Sequence, residues 1–181
     1  MKLVSIVMNC RNGSRFLKSA LLSVINQTYE NWELVFWDNN SLDNSKKIVN
    51  SFKDQRIKYY FSKGEFSLSK NRNDAIMKTK GDYICFLDTD DIWLPNHLEH
   101  LMNMLINNCR FAYSDSLLLK DFKKKKIYNN INSFNLKFLN DIDKFALSRN
   151  IFFGSIIVEK RLLKSIMPFE NNFNHSIDDY I

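Results

Sequence analysis

Short apolar runs that alternate with stretches of helical spacing constrain this 181-residue chain more than any other feature. Strand-like runs are read at Leu3–Met8, Trp32–Trp37, Ile57–Phe61, Tyr83–Leu87 and Phe111–Ser114. Between the first two, Phe16, Leu17, Ala20, Leu21, Val24 and Ile25 recur at helical period behind Ser14 as a cap. A short helix marked by Ile48, Val49 and Phe52 follows Asp43, and another runs from about Ser69 to Lys78 towards Gly81. Pro95 leads a fourth through Leu98, Leu101, Met102, Leu105 and Ile106. Strands alternating with helices across short connections predict a parallel sheet with right-handed crossovers.

The pattern loosens after Leu117 and returns with a strand over Ile151–Val158, with Gly154 inside it, and a helix over Glu159–Ile166 stopped by Pro168. Neither an internal repeat nor a low-complexity linker divides the chain, so one domain, 1–181, is expected. Lys123–Lys126 reads either as the solvated tip of a hairpin or loop, or as a contact with an anionic membrane surface.

A hydrophobic content of 45% and an aromatic content of 14% exclude a disordered chain. The net charge of +6 and pI near 9.2 favour anionic partners without choosing among them; nothing beyond charge points to nucleic acid. Cys10, Cys85 and Cys109 form no CxxC pair, which suits buried reduced thiols in the cytoplasm. No run approaches the roughly 18 apolar residues of a membrane span, and no signal peptide precedes the first strand pattern.

Acids and amides follow two of the strands: Asp38-Asn39 after the second, and Asp88, Asp90 and Asp91 after the fourth, in GDYICFLDTDDIWLP. In a parallel sheet both sets reach the carboxyl edge, where open α/β folds bind ligands. Three acids so close repel one another unless a cation joins them, and a divalent ion with oxygen ligands suits the set. Each Asp alone serves equally well to start a turn or cap a helix. Arg72, in SLSKNRNDAI, carries a donor fork suited to a base carbonyl or a phosphate, although a lone helix Arg is more often solvated.

VSIVMNCRN (4–12), FWDNNSLDNS (36–45), SLSKNRNDAI (67–76) and FLDTDDIWLP (86–95) resemble, in order and spacing, the family 2 glycosyltransferases of GT-A fold. SVINQTYENWEL (23–34) resembles that family's helix-to-strand segment; FGSIIVEKRLL (153–163) and SIDDYI resemble its acceptor-side strand and base motif more weakly. The resemblance implies a Rossmann-like three-layer α/β sandwich with a mostly parallel sheet, residues 1–116 forming the nucleotide-sugar half and 117–181 the acceptor half. It implies metal-dependent, inverting transfer of a sugar from a nucleoside diphosphate, UDP by default, to a hydroxyl of a saccharide or lipid-linked acceptor, in the cytoplasm or at the inner membrane face. Asn9, Arg11, Asp38, Asn39 and Arg72 fall at its nucleotide side. Asp88 and Asp90 fall on its DXD motif, with Asp91 beside them as a further ligand for Mg²⁺ or Mn²⁺. Asp179 falls on its catalytic base, and Asp178 where the family has Glu.

Such a base would take the acceptor hydroxyl's proton as the new bond forms. Ser176–Asp179 also has the pattern of a capping box, so the same acid serves a helix start on the plainer reading. Asn39 replaces a frequent acid and both donates and accepts, which bears on the choice of nucleotide. The chain stops at Ile181, shortly after the base motif, so donor and metal binding are expected to exceed transfer, or to stand alone as a nucleotide-sugar binding module.

Overall fold

A computed structural model describes residues 1–62, 67–105, 109–114 and 153–168, and the backbone of 116–120, 123–127 and 132–134. Chain order is β1 (Val4–Cys10), α1 (Ser14–Ile25), β2 (Trp32–Asp38), α2 (Ser45–Ser51), β3 (Ile57–Phe61), α3 (Leu68–Lys78), β4 (Tyr83–Phe86), α4 (His97–Met104), β5 (Phe111–Tyr113), β6 (Ser116–Lys120), β7 (Lys123–Ile127) and β8 (Asn132–Phe134). A 3₁₀ turn (Phe153–Ser155), β9 (Ile156–Glu159) and α5 (Lys160–Ser165) complete the described elements.

Seven strands share one sheet in the order β3-β2-β1-β4-β9-β5-β8. The pairs β3–β2, β2–β1 and β1–β4 are parallel, with Cys10 opposite Asp38 and Val7 opposite Phe86. The fifth strand runs in the same direction but does not adjoin β4, because β9 lies between them and pairs antiparallel with both. The sheet is therefore mostly parallel by direction, and β9, from beyond residue 117, sits inside it.

Alternation along the strands sends side chains to two faces. Ile6, Met8, Leu34 and Phe36 join Leu17, Leu21, Val49, Leu98 and Leu101 of α1, α2 and α4 in one core. Val7, Val35, Trp37 and Phe86 join Ala75, Ile76, Leu162 and Leu163 of α3 and α5 in the other. This is the three-layer sandwich, and burial on both faces explains why β1 and β2 are largely apolar, with buried Ser5 and Glu33 hydrogen-bonded to each other within them.

Several local expectations are corrected. Gly154 lies in the 3₁₀ turn, not within a strand, and Glu159 ends β9 before the helix begins. Gly81 does not cap α3, whose C-cap is the extended Thr79. It is small because a Cβ there would meet Leu3 O and Ser5 Oγ at 2.7 Å. Lys123–Lys126 occupies β7, paired antiparallel with β6, so the lysine run forms a strand and not a loop or tip. Cross-strand pairing with Leu117–Leu119 overrides the poor strand propensity of lysine. Ser14 does not cap α1: its own N–H donates to Asp43 Oδ2 at 2.8 Å, while Asp43 Oδ1 accepts from Ser45 N at 2.9 Å.

Candidate active site

The carboxyl ends of β1, β2 and β4 meet at one edge, and there the loops are tied together. Asn12, with φ 56° in the left-handed region that Asn tolerates, accepts at Oδ1 from Leu42 N (2.8 Å) and donates its N–H to Ser41 Oγ (3.0 Å). Asp43 joins the starts of α1 and α2. Desolvation pushes its carboxyl upward, but hydrogen bonds from Ser45 and Ser14 outweigh it and hold the group down to about 2.

Asp38 is buried, with Oδ1 accepting from Ser41 N and Oδ2 from the Tyr59 hydroxyl, each at 2.7 Å. Its turn role is therefore real, and Tyr59, stacked on Phe36, fixes its other oxygen. Burial, followed by the bond to Asp38, pushes the Tyr59 phenol up. Asn39 donates its N–H to Cys10 O at 2.7 Å, but among the described residues its buried Oδ1 has no hydrogen-bond partner, nor has Nδ2 of Asn9. An unsatisfied donor and an unsatisfied acceptor thus stand at adjacent strand ends, each costing about 1–3 kcal/mol unless a ligand supplies the partner. Arg11 is exposed on the loop after β1.

On the other face, buried Asn71 accepts from Trp37 Nε1 at 3.1 Å and pins α3 to β2. The neighbouring Arg72 comes within 3.7 Å of Asp88 Oδ1 and lies over the Phe153 ring at 4.2 Å. The loop after β4 presses against the loop after β1: a Cβ on Gly13 would meet Thr89 Oγ1 at 2.7 Å.

Within this loop Asp90 and Asp91 are exposed and Asp88 is half-exposed. The carboxyl of Asp91 lies against Gly154, and partial desolvation, then the charges of Asp88 and Asp90, push it up to about 6. Among the described residues no three His, Cys, Asp or Glu side chains converge as a metal-ligand set. The expected trio is not such a set, and Asp91 Oδ2 lies against Gly154 in the 3₁₀ turn. The hard oxygen donors and their mutual repulsion nevertheless suit a divalent cation that completes its shell from a bound ligand.

The edge thus gathers Asn9, Asp38, Asn39, Arg72, Asp88, Asp90 and Asp91, while Asp178 and Asp179 lie outside the described residues. Tyr59 supports the site from outside the quoted motifs, while Asn71 and Phe153 lie within SLSKNRNDAI and FGSIIVEKRLL without having been singled out there. Two clefts, of about 410 and 420 Å³, open elsewhere, around Tyr83 and Glu159 at the amino end of β4. The first is basic, with Lys2, Lys80, Lys160, Arg161 and Lys164 against Asp82 and Glu159. The chemistry of the carboxyl edge, rather than cleft volume, marks the candidate site.

The model of the glycosyl transferase family 2 matches residues 5–164. The chain belongs to this family. It is 35% identical over 184 residues to the Escherichia coli UDP-Glc:alpha-D-GlcNAc-diphosphoundecaprenol beta-1,3-glucosyltransferase WfgD, covering 99% of this chain and 68% of that one. It is 28% identical over 123 residues to the putative teichuronic acid biosynthesis glycosyltransferase TuaG of Bacillus subtilis, 66% of this chain and 49% of that one. S. aureus TarS 1-349 superposes with a TM-score of 0.68 at 21% identity, covering 99% of this chain and 53% of that one. The mannosyltransferase PcManGT from Pyrobaculum calidifontis, solved with GDP-Man and Mn²⁺, superposes with a TM-score of 0.70 at 16% identity, covering 93% and 48%. The GT-A fold expected of the family 2 chain is thereby met, and the chain spans about half the length of these two solved structures.

Proposed function

We propose that this protein transfers a sugar from a nucleoside diphosphate sugar, UDP-linked by default, to a hydroxyl of a lipid-linked or saccharide acceptor, with inversion at the anomeric carbon. The observation that carries the reading is the meeting, at one sheet edge, of Asp38 and the unsatisfied Asn9 and Asn39 with Arg72 and the acidic loop. The name of the 35%-identical relative supports a UDP-glucose-type donor and a diphosphoundecaprenol-type acceptor.

In this reading residues 1–116 bind the donor and 117–181 serve the acceptor. Asn39 and Asn9 give the base one acceptor and one donor, with Asp38 and Arg11 beside them. Arg72 meets the diphosphate with its planar fork. Asp88 and Asp90, with Asp91 beside them, would hold Mg²⁺ or Mn²⁺. The ion, when bound, supplies Lewis-acid neutralisation of the leaving diphosphate. Asp179 takes the proton of the acceptor hydroxyl as the bond forms; single displacement needs that one base and no protein nucleophile.

Calorimetry of UDP, GDP and dTDP with and without Mn²⁺ tests this. Metal-dependent binding of one nucleotide, abolished by Asp90→Ala, is the expected result, and indifference to metal rejects it. Asp179→Asn is expected to spare donor binding and remove transfer.

A lipid-linked acceptor would bring the protein to an anionic membrane face, where each nearby Lys or Arg adds about 1 kcal/mol. The basic cleft and the Lys123–Lys126 strand supply such charge. Sedimentation with anionic but not neutral liposomes is expected; equal recovery with both removes the membrane contact.

A further inference from the structure

A chain of ring and charge contacts leaves β4 at Phe86 and returns to its loop at Asp88. Phe86 packs on Phe153 with ring centroids 4.1 Å apart, Phe153 carries the Arg72 guanidinium at 4.2 Å, and Arg72 reaches Asp88 at 3.7 Å. The turn bearing Phe153 is itself held by the acidic loop. Trp93 Nε1 donates to Gly154 O at 2.8 Å, and Asp91 Oδ2 lies where a Cβ on Gly154 would come within 3.2 Å. Phe153 belongs to the acceptor-side segment, whereas every group it orders stands at the donor edge.

We propose that Phe153 is a positioning residue for donor binding, whose ring fixes the reach of Arg72 towards Asp88 and the donor's diphosphate. This rests on reading Arg72 as a donor contact. An Arg side chain has several freely rotating bonds, and without a stop its fork would sample many directions at the sheet edge. The half-buried Phe153 ring supplies that stop through cation–π attraction, which strengthens as the guanidinium is withdrawn from water. Arg72 meets that condition, with its side chain only 18% exposed against 48% for Asp88. Phe153 touches no reacting atom; it acts by orienting the fork before the donor arrives, so its effect belongs to donor affinity rather than to bond breaking.

Titration of the full chain with UDP and with GDP, each with Mn²⁺, tests the proposal on Phe153→Leu, Phe153→Met and Phe153→Tyr, alone and with Arg72→Ala. Leu and Met keep apolar bulk without an aromatic face, and thermal melts report whether each variant folds. Both are expected to weaken the bound nucleotide about three- to tenfold, while Tyr stays within about twofold of the parent. In turnover assays the loss should fall on donor KM and leave kcat near the parent value. In the Arg72→Ala background Phe153→Leu should cost nothing further, because the ring then has nothing to orient.

Parent-like affinity in the Leu and Met variants overturns the proposal, as does a loss repeated in full without Arg72. If Arg72→Ala binds as the parent does, the positioning role falls together with the donor role of Arg72, while the nucleotide site stands. If the parent binds neither nucleotide, the site reading falls as well.

Discussion

Gly13, at the start of α1, lies so close to Thr89 in the acidic loop that a Cβ on the glycine would meet Oγ1 at 2.7 Å and Cβ at 3.0 Å. Two loops separated by more than seventy residues are therefore in contact through one missing methyl group.

Gly13→Ala is expected to push Thr89 outward and destabilise the protein by about 1–3 kcal/mol, the usual cost of overpacking. Mn²⁺-dependent nucleotide affinity should fall with it. Thr89→Gly in the same chain removes the two nearest atoms, leaving Cys10 Sγ at 3.1 Å, and should recover most of the melting temperature; no recovery would place the strain at Cys10 or elsewhere.

Asn39 presents a different balance. Its Oδ1 is buried without a partner among the described residues, so Asn39→Ala should leave the ligand-free protein as stable as the parent, or about 1 kcal/mol more stable. Nucleotide affinity should fall about two- to tenfold, the worth of one hydrogen bond. Melting curves with and without UDP separate the two effects, and a variant that loses stability without ligand contradicts the unsatisfied acceptor.

Removing Asp43 should undo two helix starts at once. Asp43→Ala is expected to cost about 1–2 kcal/mol, at the upper end for a single cap, because the N–H groups of both Ser14 and Ser45 lose their acceptor. A folded carboxyl held down to about 2 contributes stability that is present above its unfolded value of 3.8 and disappears as pH falls through 2. The difference in stability between parent and variant should therefore shrink below pH 4 in denaturant titrations.

His97 controls another pH window. It stacks on Trp93 with ring centroids 4.5 Å apart, and burial, then the neighbouring His100, push its pKa down to about 4. The unfolded chain, near 6.5, binds the proton more readily, so stability is lost as pH falls from 6.5 towards 4. His97→Phe keeps the stack and removes the proton, and its melting temperature should fall less than that of the parent between pH 7 and pH 5. An equal fall in both proteins would assign the acid sensitivity to other groups.

Period and spacing sufficed for the first four strands. β1, β2 and β4 are largely buried because both faces are covered, and Asp38 and Asp88 stand at or just past the ends of β2 and β4, so the layer and the acids at its edge were legible together. What supports those residues was not. Tyr59 reads as an ordinary strand aromatic, Asn71 as a polar helix residue and Phe153 as part of a strand, since each acquires its role from a partner distant in sequence. The place of β9 was hidden for the same reason: three apolar residues and a Glu carry no mark of direction or neighbour. Local propensity likewise assigned the capping role to Ser14, whereas the acceptor comes from the next loop.

The insertion of β9 between β4 and β5 also sets an order of events during synthesis. β1 to β4 need only one another, but β5 has no described partner joining it to them until Ile156–Glu159 has left the ribosome. Until then a nascent chain would present β4 as an open edge, with the apolar Phe111–Tyr113 waiting beside it. The same short strand that completes the sheet therefore closes the surface most prone to pairing with another chain.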